Sequence, residues 1–475
     1  MFVIVALVKR LYKVFTVSDN LFNLLPLTTA MLDNLQSIGY KIMTPVQAQG
    51  LPIILQGEDL IAQAKTGSGK TAAFGIGLLH KLSTAQLATQ ALVICPTREL
   101  SEQVCNELRR LARALPNTKI VSLCGGKPMA GQLASLKRSP HIVVGTPGRL
   151  LKHLTKGSLK LDALKTLVLD EADRMLDMGF IDEINLIVKQ TPNERQTLLF
   201  SATFPSEIKA ISQSVQNNPA DIRVENTKQH SDIEQVFYQV EADQKNDCLL
   251  KIISYYKPSS AVVFCNRKQQ CDLVARSLIN NGISAKALHG DLDQNERDRV
   301  LTQFTNQSCS ILVATDVAAR GLDIKELPLV INYELSTDAE VHIHRVGRTG
   351  RAGTKGYAIS RYMPSESAKI VEIEKQSQQK FKTKPIAELN TTKPFIPKPS
   401  MTTLAISGGR KDKLRAGDVL GALTAHSKID GNHIGKIDRF DRVTFVAVDS
   451  GILNEALDQL NGKIKGRVFR TRHVK

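Results

Sequence analysis

Residues 59–71 read DLIAQAKTGSGKT. The apolar run 59–64 has strand character, Gly67 and Gly69 make a turn, and 70–82 carries the apolar repeat of a helix. Strand, glycine-rich loop and helix in this order form an anion cradle. The glycines let backbone amides crowd a phosphate, and the helix N-terminus adds partial positive charge. Within Ala64-Lys65-Thr66-Gly67-Ser68-Gly69-Lys70-Thr71, the lysine suits the β- and γ-phosphates of a nucleotide and the threonine hydroxyl a magnesium shell. Alanine stands where the general pattern begins with glycine. Alone, the stretch also fits an ordinary glycine-rich turn, so its surroundings must decide.

They point to a parallel α/β fold. Apolar runs without polar alternation recur at 91–97, 119–125, 141–147, 166–173 and 197–203, as expected of strands covered on both faces. A helical pattern over 100–114 separates two of them, as in βαβ units. The pattern restarts at 260–266, 285–291, 310–316 and 327–334, with helical stretches at 270–280 and 294–304 between the strands. No sequence repeat links the halves; only the architecture repeats. At 475 residues the chain exceeds one hydrophobic core.

The formal net charge of +17 favours a polyanionic partner. Seven scattered cysteines without a CxxC pair argue against a disulfide framework or a zinc site, and for a reducing, cytoplasmic compartment. The opening MFVIVALVKRLYKVF has too short an apolar run to span a bilayer, and its positive charges follow that run. Residues 1–17 therefore read as an extension without fixed structure, and no membrane partner is expected.

Two further stretches carry chemistry. Asp170-Glu171-Ala172-Asp173 follows the apolar run TLVL, so it sits at a strand's C-terminal end, where α/β sheets collect ligands. An aspartate there can hold magnesium, and a neighbouring glutamate can orient or deprotonate a water. Two acids after a strand also suit a solvated loop. HIHRVGRTGRAG at 342–353 spaces Arg345, Arg348 and Arg351 three apart among glycines, fixed positive charge whose anion is not nearby in sequence. A metal reading of His342 and His344 lacks further ligands; a solvated basic face is the plainer alternative.

Taken in order, these stretches resemble a DEAD-box RNA helicase over about 22–362. The set comprises Gly39-Tyr40 with Thr44-Pro45-Val46-Gln47, AKTGSGKT, Pro96-Thr97-Arg98-Glu99-Leu100, Gly125-Gly126, Thr146-Pro147-Gly148-Arg149, DEAD at 170–173 and Ser201-Ala202-Thr203. The second half adds Val263–Asn266, Gln294 with Arg297, Ala314-Thr315-Asp316, Ala319–Asp323, and His344–Arg351. The resemblance implies two RecA-like parallel-sheet domains, at 18–225 and 226–380, that close on ATP and magnesium.

It also implies roles. Lys70 and the phosphate loop hold ATP; Thr71 and Asp170 hold magnesium; Glu171 activates water; Arg348 and Arg351 act as arginine fingers on the transferring phosphoryl group. Gln47 reads adenine, Phe22 (or Phe15) stacks on it, and Asp323 contacts the ribose. Asp173, Ser201, Thr203, Arg320, His344 and Arg345 belong to the network coupling hydrolysis to closure. RNA contacts fall on Pro96–Glu99, Gly125-Gly126, Thr146–Arg149, Gln294, Arg297, Thr315 and Asp316, mostly to phosphate and 2′-hydroxyl groups, so binding is blind to sequence.

Residues 381–400, with four prolines and several lysines, read as an extended linker. Beyond it, 401–475 follows a β-α-β-β-α-β order resembling an RNA recognition motif, a small α+β domain. From Thr403 onward it holds fourteen Lys and Arg against eight Asp and Glu. Phe445 and Phe440 are all that remain of the usual stacking aromatics, which disfavours base stacking on the sheet. The text of this domain is similar to that of one bacterial branch of the family. That branch anchors on a large-subunit ribosomal RNA hairpin during 50S assembly. The resemblance implies a monomer acting on pre-50S particles, with Lys411, Lys413, Arg415, Lys463, Lys465, Arg467, Arg470 and Arg472 as candidate RNA contacts.

Overall fold

The structure, a computed structural model, describes residues 20–64, 67–224, 233–319, 327–336, 338–350, 355–377, 379–391, 393–425 and 429–474. Lys65, Thr66, Arg320, Asp323, Arg351 and the whole of 1–17, Phe15 included, lie outside the described residues. Two compact units emerge, the first holding the described residues up to 224 and the second those from 233 onward.

The first unit is built on a seven-stranded, wholly parallel sheet: β1 (Leu60–Gln63), β2 (Ala91–Ile94), β3 (Ile120–Leu123), β4 (Ile142–Gly145), β5 (Thr166–Asp170), β6 (Gln196–Ser201) and β7 (Ala220–Arg223), in the order β3-β4-β2-β5-β6-β1-β7. Along β2, Ala91 and Val93 enter one core while Leu92 and Ile94 enter the other. Both faces are covered by helices, which explains the unbroken apolar runs. The phosphate loop, DEAD, and the loops after β2, β3, β4 and β6 all emerge at the sheet's C-terminal edge.

The second unit repeats this plan with β8 (Ile233–Gln239), β9 (Ala261–Cys265), β10 (Ala285–Leu288), β11 (Ile311–Thr315), β12 (Leu329–Asn332), β13 (Gly356–Tyr362) and β14 (Lys382–Pro385), ordered β10-β11-β9-β12-β13-β8-β14 and again parallel. Here the chain differs from the expected linker. Lys382 pairs with Val236, Leu389 is buried in the core, and the Ser310 hydroxyl donates to the Pro397 carbonyl at 3.2 Å. Prolines lack a donor, yet an outermost strand needs hydrogen bonds on one side only, so Pro385 fits there.

The C-terminal module forms an antiparallel sheet of β15 (Met401–Ile406), β16 (Ile434–Arg439), β17 (Thr444–Asp449) and β20 (Thr471–His473), ordered β16-β17-β15-β20, with a two-stranded hairpin of β18 (Lys463–Ile464) and β19 (Arg467–Val468). Leu404, Ile406, Val446 and Val448 pack under the helices Ala416–Thr424 and Leu453–Leu460. The opposite face is not open. Thr403 meets Asn306 and Ser308, Gln303 Nε2 donates to the Val474 carbonyl at 3.0 Å, and the Met401 amide to the Gln307 carbonyl at 3.3 Å. The module is therefore docked on the second parallel-sheet domain. Phe445 is 6% exposed and packs edge-on to Phe440, so it offers no ring for stacking.

His342 supplies a stability prediction. It lies buried against the stacked pair Phe237 and Phe381, and burial, then Arg345, pushes its imidazole down to about 3. An ordinary histidine protonates near 6.5, so below that pH the unfolded chain binds the proton that the fold refuses. His342 costs nothing above pH 6.5 and costs progressively more as pH falls towards 3, about 2 kcal/mol at pH 5. Denaturant midpoints at pH 7.5 and 5 should lie closer together in His342→Gln than in the parent; an unchanged gap would refute this.

Candidate active site and nucleic-acid interface

Gly69 precedes the helix Lys70–His80 with φ +95°, and Gly67 has φ +85°. Both angles suit glycine because a Cβ there is sterically costly. A Cβ on Gly69 would also stand 2.5 Å from Gln47 Nε2. Gln47 explains that crowding: its Oε1 accepts from the Thr44 amide at 2.9 Å and its Nε2 donates to the Gly69 carbonyl at 3.1 Å. The amide expected to read adenine is thus buried and engaged, tying the N-terminus of the helix Pro45–Gln56 to the phosphate loop. Phe22, expected to stack on adenine, is 4% exposed and set edge-on to Tyr40 in the core. Neither presents a surface to a base in this structure, because each buries its functional face within the protein.

Lys70 and Asp170 are buried, and among the described residues Lys70 Nζ and Asp170 Oδ1 have no hydrogen-bond partner. Burial pushes the Asp170 carboxyl up to about 6; Glu171 adds to the shift and Lys70 opposes it. Unsatisfied buried charge is costly unless a ligand answers it. An unpaired ammonium suits polyphosphate and an unpaired carboxylate oxygen suits a divalent cation, so the donor set fits a metal-nucleotide pair.

Glu171 adopts φ +56°, ψ +53°, a left-handed conformation uncommon outside glycine, which stores strain of order 1–3 kcal/mol. Its Oε2 accepts from Arg174 Nη1 at 2.9 Å, both side chains almost fully buried. Asp173 takes no part in that pair. Its Oδ2 accepts from the Ala202 and Thr203 amides at 3.0 and 2.9 Å and from the Thr203 hydroxyl at 3.2 Å, while its own amide donates to Ser201 Oγ at 3.2 Å. The structure thus brings Asp173, Ser201 and Thr203 together, lacing the ends of β5 and β6.

On the RNA side of the first unit, the Arg98 guanidinium lies over Gly125-Gly126, so close that a Cβ on Gly125 would stand 3.3 Å from Nη2. Thr97 caps the helix Arg98–Leu111 by accepting from the Leu100 amide at 3.2 Å. Arg149 Nη1 donates to the Lys127 carbonyl and to Gln132 Oε1, both at 2.9 Å. These loops share the C-terminal edge of one sheet.

In the second unit Arg345 differs from expectation. Its guanidinium grips both Asp316 oxygens at 2.6 and 2.7 Å, the Glu334 carbonyl at 2.7 Å and Asn266 Oδ1 at 2.8 Å, above the Phe264 ring. Its bonds are spent inside its own unit, which makes it an internal brace and leaves Asp316 a support more than a contact. Gln294 Nε2 bonds to Asp298 at 2.9 Å, and Arg297 reaches the Ala318 carbonyl at 3.4 Å. His344 is half-buried near the end of the helix Ala339–Val346, and Arg348 is buried two residues beyond that helix.

Comparisons with known proteins agree with this geometry. Residues 44–211 match the DEAD/DEAH box helicase family, 244–353 the helicase conserved C-terminal domain, and 403–473 the DbpA RNA binding domain. The ATP-dependent RNA helicase DbpA of Escherichia coli K12 is 53% identical over 95% of this chain and 98% of its own.

The chain belongs to the DEAD-box helicases.

The helicase CshA of Listeria monocytogenes is 44% identical over 74% of this chain and 68% of its own. Among solved structures, Saccharomyces cerevisiae Dbp5 bound to RNA and ADP BeF3 aligns with TM-score 0.72 at 28% identity, covering 78% of this chain and 96% of that one. As a DEAD-box helicase the protein hydrolyses ATP and acts on RNA. Its C-terminal module is an RNA-binding domain of the DbpA kind. Among the described residues no helix is long and apolar enough to cross a membrane, and no cluster of metal-ligating side chains occurs at His342 and His344.

Of the module's candidate contacts, Lys413, Arg415 and Lys465 line one cavity of about 300 Å³ with Arg410, Arg439 and Leu414. Lys411, Lys463, Arg467, Arg470 and Arg472 are exposed elsewhere on the module. Arg410 and Arg439 escaped the sequence reading because they sit in different elements, and only the sheet brings them together. Arg174 was missed too, although its spacing of three from Glu171 on a helix was a legible signal.

Proposed function

We propose that this helicase locally unwinds short RNA duplexes and is directed by its module to a hairpin of large-subunit ribosomal RNA during 50S assembly, as a cytoplasmic monomer on pre-50S particles. What supports the targeting is the basic cavity, where five cations converge on one side of a module whose sheet face is already occupied. Residues 18–225 and 226–380 would form the two halves of the motor and 401–475 the anchor. Phosphate contacts from that cavity would position the RNA, and the motor loops would grip a neighbouring strand without reading its bases.

Within the motor, Lys70 would bind the terminal phosphates and Glu171 would orient and deprotonate the attacking water. Asp170 and Thr71 would hold a magnesium ion, which when bound neutralises charge on the phosphates. Arg348 and Arg351 would add positive charge to the transferring group. Ser201 and Thr203, bonded to Asp173, would carry the change at the nucleotide to the neighbouring loop.

Strand displacement tests the reading. A short duplex joined to a ribosomal hairpin should separate with ATP, faster than the same duplex without the hairpin, and not with a non-hydrolysable analogue. Tight ATP-dependent binding without displacement would make the protein an ATP-gated clamp instead.

A further inference from the structure

We infer that Gln132 is a positioning residue that locks Arg149 and the Gly125-Gly126 turn into one register, so that two RNA-facing loops meet one strand together. Gln132 lies on the helix Met129–Leu136 and is 5% exposed. Its Nε2 donates to the carbonyl of Cys124, the residue leading into Gly125-Gly126, at 2.8 Å. Its Oε1 receives two bonds at 2.9 Å, from Arg149 Nη1 and from His153 Nε2.

The orientation of this amide is not open to choice. Arginine has only donors, so the atom facing Arg149 must be the oxygen, and the nitrogen is left to face the Cys124 carbonyl. Both lone pairs of Oε1 are then used. His153, fully buried on the helix Pro147–Thr155, must present N–H at Nε2, and its Nδ1 lies 2.9 Å from Ser158 Oγ. Burial, followed by Arg149 and Lys156, lowers its affinity for a second proton, which suits a neutral ring with one fixed tautomer.

One glutamine therefore joins three elements: the end of β3, its own helix and the helix after β4. The consequence falls on Arg149. Its Nη1 is held from inside by Gln132 and the Lys127 carbonyl, while Nε and Nη2 bond to nothing among the described residues. A guanidinium anchored through one nitrogen, with its remaining edge outward, is pre-organised for the two oxygens of a backbone phosphate. On the neighbouring loop, Arg98 lies over Gly125-Gly126. The inference rests on the reading of Arg149 as an RNA contact.

The test measures the RNA concentration giving half-maximal ATPase activity, together with the KM for ATP at saturating RNA. Gln132→Leu should raise the RNA requirement about tenfold, the cost of losing hydrogen bonds to a charged group, with the ATP KM unchanged. Gln132→Glu keeps the oxygen that Arg149 and His153 bond but replaces the donor to the Cys124 carbonyl with a second acceptor. It should therefore hold Arg149 while freeing the Gly125-Gly126 turn, and raise the RNA requirement less than the leucine does. If the leucine variant does not fold, Gln132→Asn, which withdraws the amide by one methylene, should shift the RNA requirement in the same direction. In an Arg149→Ala background Gln132→Leu should add less than it costs alone, since only the tie to the Gly125-Gly126 turn is left to lose. An equal further loss there would mean general loosening and overturn the inference, as would no loss from Gln132→Leu when Arg149→Ala alone weakens RNA use. No effect of Arg149→Ala would remove the RNA-contact reading beneath it.

Discussion

Glu171→Gln should lower RNA-stimulated kcat by about a hundredfold or more, the span of a lost general base, while ATP binding stays near that of the parent. The geometry favours a clean result. Glutamine keeps the length and shape of glutamate, and its amide oxygen can still accept from Arg174 Nη1 where Glu171 Oε2 does at 2.9 Å. The left-handed backbone at this position is already strained by the native residue, and the substitution adds no Cβ to it. Lys70 and Asp170, the groups suited to phosphate and metal, are untouched. Single-turnover hydrolysis and nucleotide binding measured side by side check the prediction; near-normal hydrolysis would take the base role away from Glu171.

The second large effect is on stability. Arg345→Ala should destabilise the second unit by about 3–5 kcal/mol, the usual result of removing one partner of a buried, hydrogen-bonded ion pair. Arg345 is 2% exposed. Its loss would strand Asp316, Asn266 and the Glu334 carbonyl at the edge where β9, β11 and β12 end. Arg345→Lys should recover little, since one ammonium cannot reproduce a planar fork holding both Asp316 oxygens. Denaturant unfolding monitored on the second unit decides it, and a loss below about 1 kcal/mol, the scale of an exposed pair, would contradict the brace.

The two parallel sheets were legible because their central strands are apolar on both faces and end in residues with recognisable chemistry, as in TLVLDEAD and SILVATD. The strands that escaped are those whose sequence carries no such run. Of β7 only Ile222 is buried, β8 opens on half-buried Ile233, Glu234 and Gln235, β13 breaks its apolar residues with Ser360 and Arg361, and β14 reads Lys-Thr-Lys-Pro along an outer edge. Strand pairing there comes from tertiary context, which overrides local pattern. The same divide runs through the site. Lys70, Asp170, Asp173, Ser201 and Thr203 stand where their motifs place them, because strand ends and a helix start fix them locally. Gln47, Phe22 and Arg345 carry roles that depend on which partner each side chain finds, and in this structure each finds one inside its own unit. In the module, Lys413 and Lys465 both adopt positive φ beside the basic cavity. Charge counting could name these lysines but not say that Arg410 and Arg439 would face them.

The most direct test of the account is steady-state ATPase activity with total ribosomal RNA against poly-U, for the parent chain and for one carrying Lys413→Glu and Lys465→Glu. Charge reversal is preferable to deleting the module, which would uncover Gln303 and Asn306 on the motor. Strong stimulation by ribosomal RNA in the parent, falling to the poly-U level in the reversed variant, is the expected result. Equal stimulation by both RNAs, unaffected by the two substitutions, would contradict it and leave a helicase whose module does not choose its RNA.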